Sequence, residues 1–343
     1  MSTALSRKFL ATFVTDLHMR TVKFFLIGTA AIAGFFLSLI NGSVEISSAQ
    51  IFADLFGIGE ISIDETKRQI LENIRLPRTI VAMLVGINLS LSGAILQAVM
   101  KNPLADPHII GISSGAGLFG IFVMMIFGDA GALVTPAAFI GAMLAASLIY
   151  LLAWKDGIRP IRVILAGVAV SAFLGAGISA LLIFYSDKVH GALLWMVGGL
   201  SARSWQHVEI LLPYSLVGMF MTFLAARHLN VLQLGDEVAK GLGLRVNLVR
   251  TILTTIAALL AASAVCVVGL LGFVGLIVPH TARLILGSDY RILLPSAALL
   301  GAAVVTISDT FARTIFAPTE LPVGILMAML GAPFFLYLLR KEL

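Results

Sequence analysis

Long apolar runs without a single charge set the terms for this chain. Residues 24–40 and 251–271 are two of them, and neither contains Asp, Glu, Lys or Arg. A helix needs about 20 predominantly apolar residues to cross a hydrocarbon core of ~30 Å. Hydrophobic residues make up 59% of the 343, enough for roughly ten such crossings. Charged residues make up only 12%, against about 25% in ordinary soluble domains. The mean hydropathy is +1.03. These values exclude a water-soluble globule, a disordered chain and a secreted disulfide scaffold. A transmembrane β-barrel is excluded too, because its strands alternate apolar and polar residues. The fold class read from this is all-α: one polytopic transmembrane domain over 1–343, with about ten helices.

Spans are expected near 22–41, 79–99, 109–128, 132–153, 161–185, 207–227, 249–268, 271–287, 292–309 and 322–339. The seventh and eighth form a nearly continuous apolar run. A single helix of ~37 residues would extend ~55 Å, too long for one crossing, so Gly269 and Gly272 are read as a turn. Along the fifth span Gly167, Ser171, Gly175 and Ser179 recur every four residues. That spacing lets helix backbones approach closely.

Ten spans put both termini on one side. Seven basic residues, Lys67, Arg68, Arg75, Arg78, Lys188, Arg203 and Arg313, fall on the opposite side, leaving 16 of the 23 Lys and Arg with the termini. Cytoplasmic loops carry the excess of Lys and Arg, so the termini and segment 1–21 are expected in the cytoplasm. This also accounts for the net charge of +5 without invoking nucleic acid. Ala31-Ile32-Ala33 looks like a signal-peptidase site, but it lies inside the apolar run, and the run is read as a retained span. The one cysteine, Cys266, lies in an apolar stretch and reads as a small buried hydrophobe.

Catalytic patterns are missing. There is no G-x-x-x-x-G-K-[ST] phosphate loop and no G-x-S-x-G. The six histidines form no i, i+4 pair of the kind a helix-borne zinc site needs. The reading is no catalytic residue, no metal and no cofactor. Ionisable residues in a bilayer usually mark ion or proton pathways, and the expected spans hold almost none near their middles. His280 reads as a packed histidine. Asp309 is expected to pair with Arg313 at i+4 and orient it. An ion-gradient-driven secondary transporter and a membrane-embedded enzyme therefore both lack their expected parts.

Three segments do carry information. Segment 41–78 contains an amphipathic stretch in which Ile63, Ile70, Leu71 and Ile74 share a helix face. It ends in Arg75-Leu76-Pro77-Arg78-Thr79, placing two positive charges at an outer mouth amid acidic residues such as Glu60 and Glu72. Snorkelling arginines and a docking site for an acidic partner both fit. Between spans two and three, Asn102, Pro103, Asp106 and Pro107 force a defined turn. Between spans six and seven lies Leu234-Gly235-Asp236-Glu237-Val238-Ala239-Lys240-Gly241-Leu242-Gly243-Leu244-Arg245-Val246. A short helix, 236–240, is bracketed there by glycines, with Asp236 and Glu237 favouring its N-terminal dipole. A plain connecting loop and a docking surface both remain open for it.

Taken together, the chain resembles the permease subunits of importers for iron-siderophores, haem and vitamin B12 that belong to the ABC class. Besides the stretches above, the resemblance rests on Ser92-Gly93-Ala94-Ile95-Leu96-Gln97, Gly111–Gly117, Trp195-Met196-Val197-Gly198-Gly199, Gly272–His280, Leu321-Pro322-Val323-Gly324 and Gly331-Ala332-Pro333. It implies the type II ABC importer architecture. Two permease subunits, identical or paralogous, flank one path in a bacterial cell membrane. A cytoplasmic ATPase dimer hydrolyses ATP, and an extracytoplasmic substrate-binding protein delivers cargo. By motif, Arg75, Arg78 and Arg313 match the family's binding-protein pockets. Leu234, Gly235, Asp236, Glu237, Ala239, Gly241, Gly243 and Leu244, in a region of about 230–247, match its ATPase-coupling helix. The turn at Asn102–Pro107 lies on that same side. Ferric siderophores are the favoured cargo, with haem and cobalamin as alternatives.

Overall fold

The computed structural model describes residues 2–342 apart from 43, 58–62, 129–130, 156 and 158–159. Glu60 and Arg159 lie outside the described residues, as do the side chains of Arg7, Lys8 and Lys341. The helices are α1 (Ser2–Ile40), α2 (Ser48–Phe56), α3 (Glu65–Ile70), α4 (Leu76–Val99), α5 (Ile112–Ile126), α6 (Gly131–Ala153), α7 (Pro160–Phe184) and α8 (Val189–Val197). They continue with α9 (Trp205–Leu224), α10 (Ala226–Gln233), α11 (Asp236–Gly241), α12 (Val246–Val268), α13 (Val274–Leu286), α14 (Tyr290–Thr314) and α15 (Val323–Glu342).

Among the described residues, seven helical stretches are long and apolar enough to cross a membrane: within α1, across α3–α4, and in α6, α7, α9, α12 and α14. Three shorter apolar helices, α5, α13 and the apolar part of α15, fill the remaining expected positions. Two of the expected spans are thus shortened, each for a local reason. A 3-10 turn at Pro107–Ile110 and a left-handed Gly111 delay α5. The non-helical link after Gly269, ending in a left-handed Phe273, delays α13.

The second span departs most from expectation. Helix does not begin at residue 79 but runs unbroken from Glu65 to Val99. A π turn at Leu71–Arg75 joins α3 to α4. The wider i→i+5 turn rotates the residues that follow it. Leu71 is buried against Leu39, Ile46 and Ile51, while Ile74, expected on the same face, is 56% exposed. Pro77 is accommodated in the first turn of α4, where the missing N–H costs least.

Helix α4 is the axis of the bundle. Most of its apolar window is buried (83%), against 22% for α7. It packs against α9, α12, α13 and α14. Close approach to α14 depends on Gly86 and Gly301, since a Cβ on either would stand 2.1–2.3 Å from a backbone oxygen of the other. Polar side chains tie the same helices together in the low-dielectric interior. Asn88 Nδ2 donates to Ser215 of α9 at 2.8 Å and Ser263 of α12 at 3.1 Å, and Ser92 Oγ donates to Ala257 O at 2.7 Å. The outer helices α6, α7 and α9 leave apolar side chains such as Leu165, Phe173, Ile183 and Phe220 uncovered, as lipid contact requires.

The Trp195–Gly199 stretch closes a junction of three chain ends. Gly199 N donates to Val268 O at 2.8 Å, Leu270 N to Trp195 O at 3.3 Å and Gly324 N to Gly198 O at 3.0 Å. The C-termini of α8 and α12 and the N-terminus of α15 therefore meet through backbone alone. A Cβ at Gly324 would lie 1.7 Å from Val197 O.

Candidate functional site

Two charged clusters sit at opposite ends of α4. The first gathers Arg75, Arg78 and Arg313, as the sequence expects, but all three guanidinium-bearing residues are buried rather than displayed at a mouth. The π turn ends on Arg75 and turns its side chain toward α1. Arg75 Nη1 donates to Leu39 O at 2.7 Å and Ile40 O at 3.0 Å, and Nη2 donates to Val44 O. Arg313 Nη2 donates to Ser38 O and, at 3.0 Å, to Ser38 Oγ. The last carbonyls of a helix lack intrahelical partners, and cations there also favour the helix dipole. Arg75 and Arg313 thus cap the C-terminus of α1.

Arg78 is held differently. Its Nε and Nη2 donate to the two carboxylate oxygens of Asp309, both at 2.9 Å, a bidentate pair. Its Nη1 donates to both oxygens of Glu320 at 2.9 and 3.1 Å. The expected Asp309–Arg313 pair is therefore corrected: the Asp309 carboxylate is taken up by Arg78, 231 residues away in sequence. A fork of five N–H groups satisfies two carboxylates at once, and the i+4 neighbour is left to cap α1.

Glu320 lies in the link between α14 and α15 and also accepts from Ser201 Oγ at 2.7 Å. Burial pushes its carboxyl up, but the Ser201 hydroxyl and the Arg78 charge outweigh burial and hold it below the usual carboxylate range. Arg203 stands beside this group, with Nη1 3.2 Å from His207 Nε2. Burial and the neighbouring Arg78 charge lower its pKa. Sequence reasoning missed Ser201, Arg203 and Glu320. The loops that bring them together are set by the three-way glycine junction, which leaves no local signal at those residues.

The second cluster surrounds α11. Lys101 Nζ, just past the end of α4, donates to Asp236 Oδ1 at 2.6 Å. Arg250 of α12 donates to both Asp236 oxygens at 2.8 and 2.9 Å. Burial raises the Asp236 pKa, but the hydrogen bonds from Lys101 and Arg250 prevail and hold it below the ordinary value of 3.8. Asp236 was read as a helix-dipole residue; it is also the tether of α11 to α4 and α12. Glu237 points outward and pairs with Lys240 at 3.0 Å. Ala239 is buried, and Gly235 has φ +103° and Gly243 φ +82°.

Leu234, Val238 and Leu242 recur every four residues and line the outer face of α11, with Val238 51% and Leu242 63% exposed. Val238 and Leu242 were not singled out beforehand, although their spacing after Leu234 could have found them. A Cβ at Gly241 would meet nothing within 4 Å. The face is low, apolar and open. The turn at Asn102–Pro107 is folded inward: Asn102 Oδ1 accepts from Leu104 N at 2.9 Å and Asp106 Oδ1 from His108 N at 2.9 Å. Pro107 and Asp106 pack on Gly275. This turn braces the start of α13.

A helical bundle packed around α4, with seven stretches long and apolar enough to cross a membrane and ionic clusters at the two ends of α4, has the build of a polytopic membrane protein. Comparison with known proteins identifies its kind. The chain belongs to the FecCD transport family, whose model matches residues 30–341. It is 41% identical to the Fe(3+)-citrate import system permease protein YfmE of Bacillus subtilis (strain 168), over 89% of this chain and 91% of that one. It is 43% identical to the cobalamin import system permease protein BtuC of Halobacterium salinarum, over 82% and 76%. It is 41% identical to the hemin transport system permease protein HmuU of Yersinia pestis, over 79% and 83%. A solved inward-facing metal-chelate type ABC transporter superposes with a TM-score of 0.83 at 28% identity, covering 93% of this chain and 98% of that one. The chain is accordingly an ABC-importer permease, and an ion-gradient-driven secondary transporter is not supported.

Proposed function

We propose that this chain forms half of the translocation pathway of an ATP-driven importer for a ferric siderophore, in a bacterial cell membrane. A second permease subunit completes the pathway, and the chain itself carries out no covalent chemistry. Hydrolysis belongs to a cytoplasmic ATPase dimer that docks on the Leu234–Leu244 face. An extracytoplasmic substrate-binding protein docks at the Arg75, Arg78 and Arg313 end, and both termini lie in the cytoplasm. The observation that carries this reading is the separation of the two clusters along α4. Its 24 residues span ~36 Å, enough to set Arg78 and the Lys101–Asp236 pair on opposite sides of a hydrocarbon core of ~30 Å.

Iron chelate is preferred as cargo because YfmE and, at 41% identity, the iron(3+)-hydroxamate import permease FhuG of Bacillus subtilis are both iron-chelate permeases. Haem and cobalamin are carried by relatives of similar identity and remain the second reading. Reconstituted vesicles containing the permease, its ATPase and its binding protein should take up radiolabelled ferric hydroxamate or ferric citrate only with ATP inside the ATPase compartment. Uphill uptake by the permease alone would sink the proposal. ATP-driven uptake of haem with none of either ferric chelate would overturn the choice of cargo.

A further inference from the structure

Arg78 already has a carboxylate where a docking partner's would go. Its five N–H groups are nearly all committed: two to Asp309 and the Nη1 group to Glu320. The two carboxylates are not equivalent. The Asp309 side chain is 2% exposed, whereas that of Glu320 is 41% exposed. Asp309 is packed inside α14, an element of the core. Glu320 sits on the short link between α14 and α15 and can swing away without unpacking a helix. A partner carboxylate arriving from that end meets Arg78 only where Glu320 now sits.

We propose that Glu320 is a displaceable internal stand-in for the partner's carboxylate, so that docking exchanges one carboxylate for another on Arg78. This rests on the docking role proposed above for the arginine cluster. The exchange conserves charge on Arg78, so the buried guanidinium never stands unpaired. It also gives docking a mechanical consequence. Releasing Glu320 breaks its bond to Ser201, which ties the α14–α15 link to the loop that follows the Gly198–Gly199 junction. The partner's charge is thereby coupled to the packing of α8, α12 and α15 at that junction. The exchange is assigned to Arg78 alone, because Arg78 is the arginine that holds Glu320, whereas Arg75 Nη1 and Arg313 Nη2 are directed at the end of α1.

The test uses the full permease in nanodiscs and, as probe, the substrate-binding protein purified from the same source. Carboxyl footprinting with a water-soluble carbodiimide on the unmodified permease should show Glu320 labelling rise when the binding protein is added. Glu320→Gln keeps an acceptor for Ser201 but removes the competing charge. It should bind the probe about two- to fivefold more tightly, the range set by a partly exposed ion pair. Phenylglyoxal should also modify Arg78 faster in that variant. Unchanged or reduced Glu320 labelling on docking overturns the exchange, as does weaker or equal binding by Glu320→Gln in a protein that melts normally. The underlying docking role is tested separately with Arg78→Met combined with Asp309→Leu, which removes the guanidinium without stranding the buried Asp309 carboxylate. If that variant binds the probe as well as the parent, the docking role itself fails. If it loses binding while Glu320→Gln gains none, docking stands and the exchange falls.

Discussion

A buried guanidinium must place its N–H groups inside the protein, and Arg78 does so with one bond each from Nε and Nη2 to Asp309 and two from Nη1 to Glu320. Breaking a buried ion pair from one side leaves an uncompensated charge and costs about 3–5 kcal/mol, whereas removing both partners costs far less. Asp309→Leu alone should therefore lower the melting temperature in detergent sharply, and Arg78→Met combined with Asp309→Leu should recover most of the loss. Equal melting of the single and double variants would contradict the pairing. Asp236 gives a pH-dependent counterpart. Its folded pKa lies below 3.8, so its contribution is fully present above that value and is lost as pH falls through the folded value. Asp236→Asn should accordingly be less stable than the parent at pH 7, with the gap closing only well below pH 4. Arg75 and Arg78 stood out in the sequence because they share one short motif, whereas Arg313 joined them only through the family resemblance. The sequence did not reveal their partners. Asp309 has Arg313 four residues ahead, but the partner that wins comes from α4, and helix packing decides that choice.

Elements were read more accurately by their apolar centres than by their ends. Ten apolar segments were visible because burial in lipid needs composition rather than pattern. The π turn at Leu71–Arg75 was not visible, because a five-residue hydrogen bond leaves no hydrophobic signature of its own. At α11 the glycine brackets marked the helix correctly, and its function now rests on which face is open. Val238→Asp and Leu242→Asp place charge on exposed positions, so neither should unfold the permease. Each should reduce co-purification of the ATPase by about tenfold or more, equivalent to ~1.4 kcal/mol. The flanking glycines should behave differently from one another. Gly235→Ala puts a Cβ at φ +103° and should cost about 1–3 kcal/mol. Gly241→Ala lies in open space and should be neutral or slightly stabilising, since alanine favours helix over glycine by ~1 kcal/mol. Gly241→Trp should keep the fold and block the ATPase, as measured by size-exclusion of the assembled complex.

At the scale of the whole molecule the question is how an event at one membrane surface reaches the other. Helix α4 begins next to Arg78 and ends next to Lys101, and its middle is locked to α9, α12 and α14 by Asn88, Ser92 and the Gly86–Gly301 contact. A rod packed this tightly moves as a unit or in discrete steps, because close-packed interiors do not deform smoothly. Asp236 couples α11 to that rod through Lys101 and to α12 through Arg250. The two links can be separated. Arg250 is buried and holds Asp236 with two bonds, so α11 stays in place when Lys101 is removed. Lys101→Gln should therefore leave ATPase assembly and fold unchanged while cutting the tie between α11 and α4. The expected result in reconstituted vesicles is normal basal ATP hydrolysis with a several-fold loss of its stimulation by the binding protein. Arg250→Gln breaks the buried side of the same network and should lose assembly and stability together. If Lys101→Gln retains full stimulation, α4 is not the route between the two surfaces, and α12, held by Arg250 alone, becomes the element that links them.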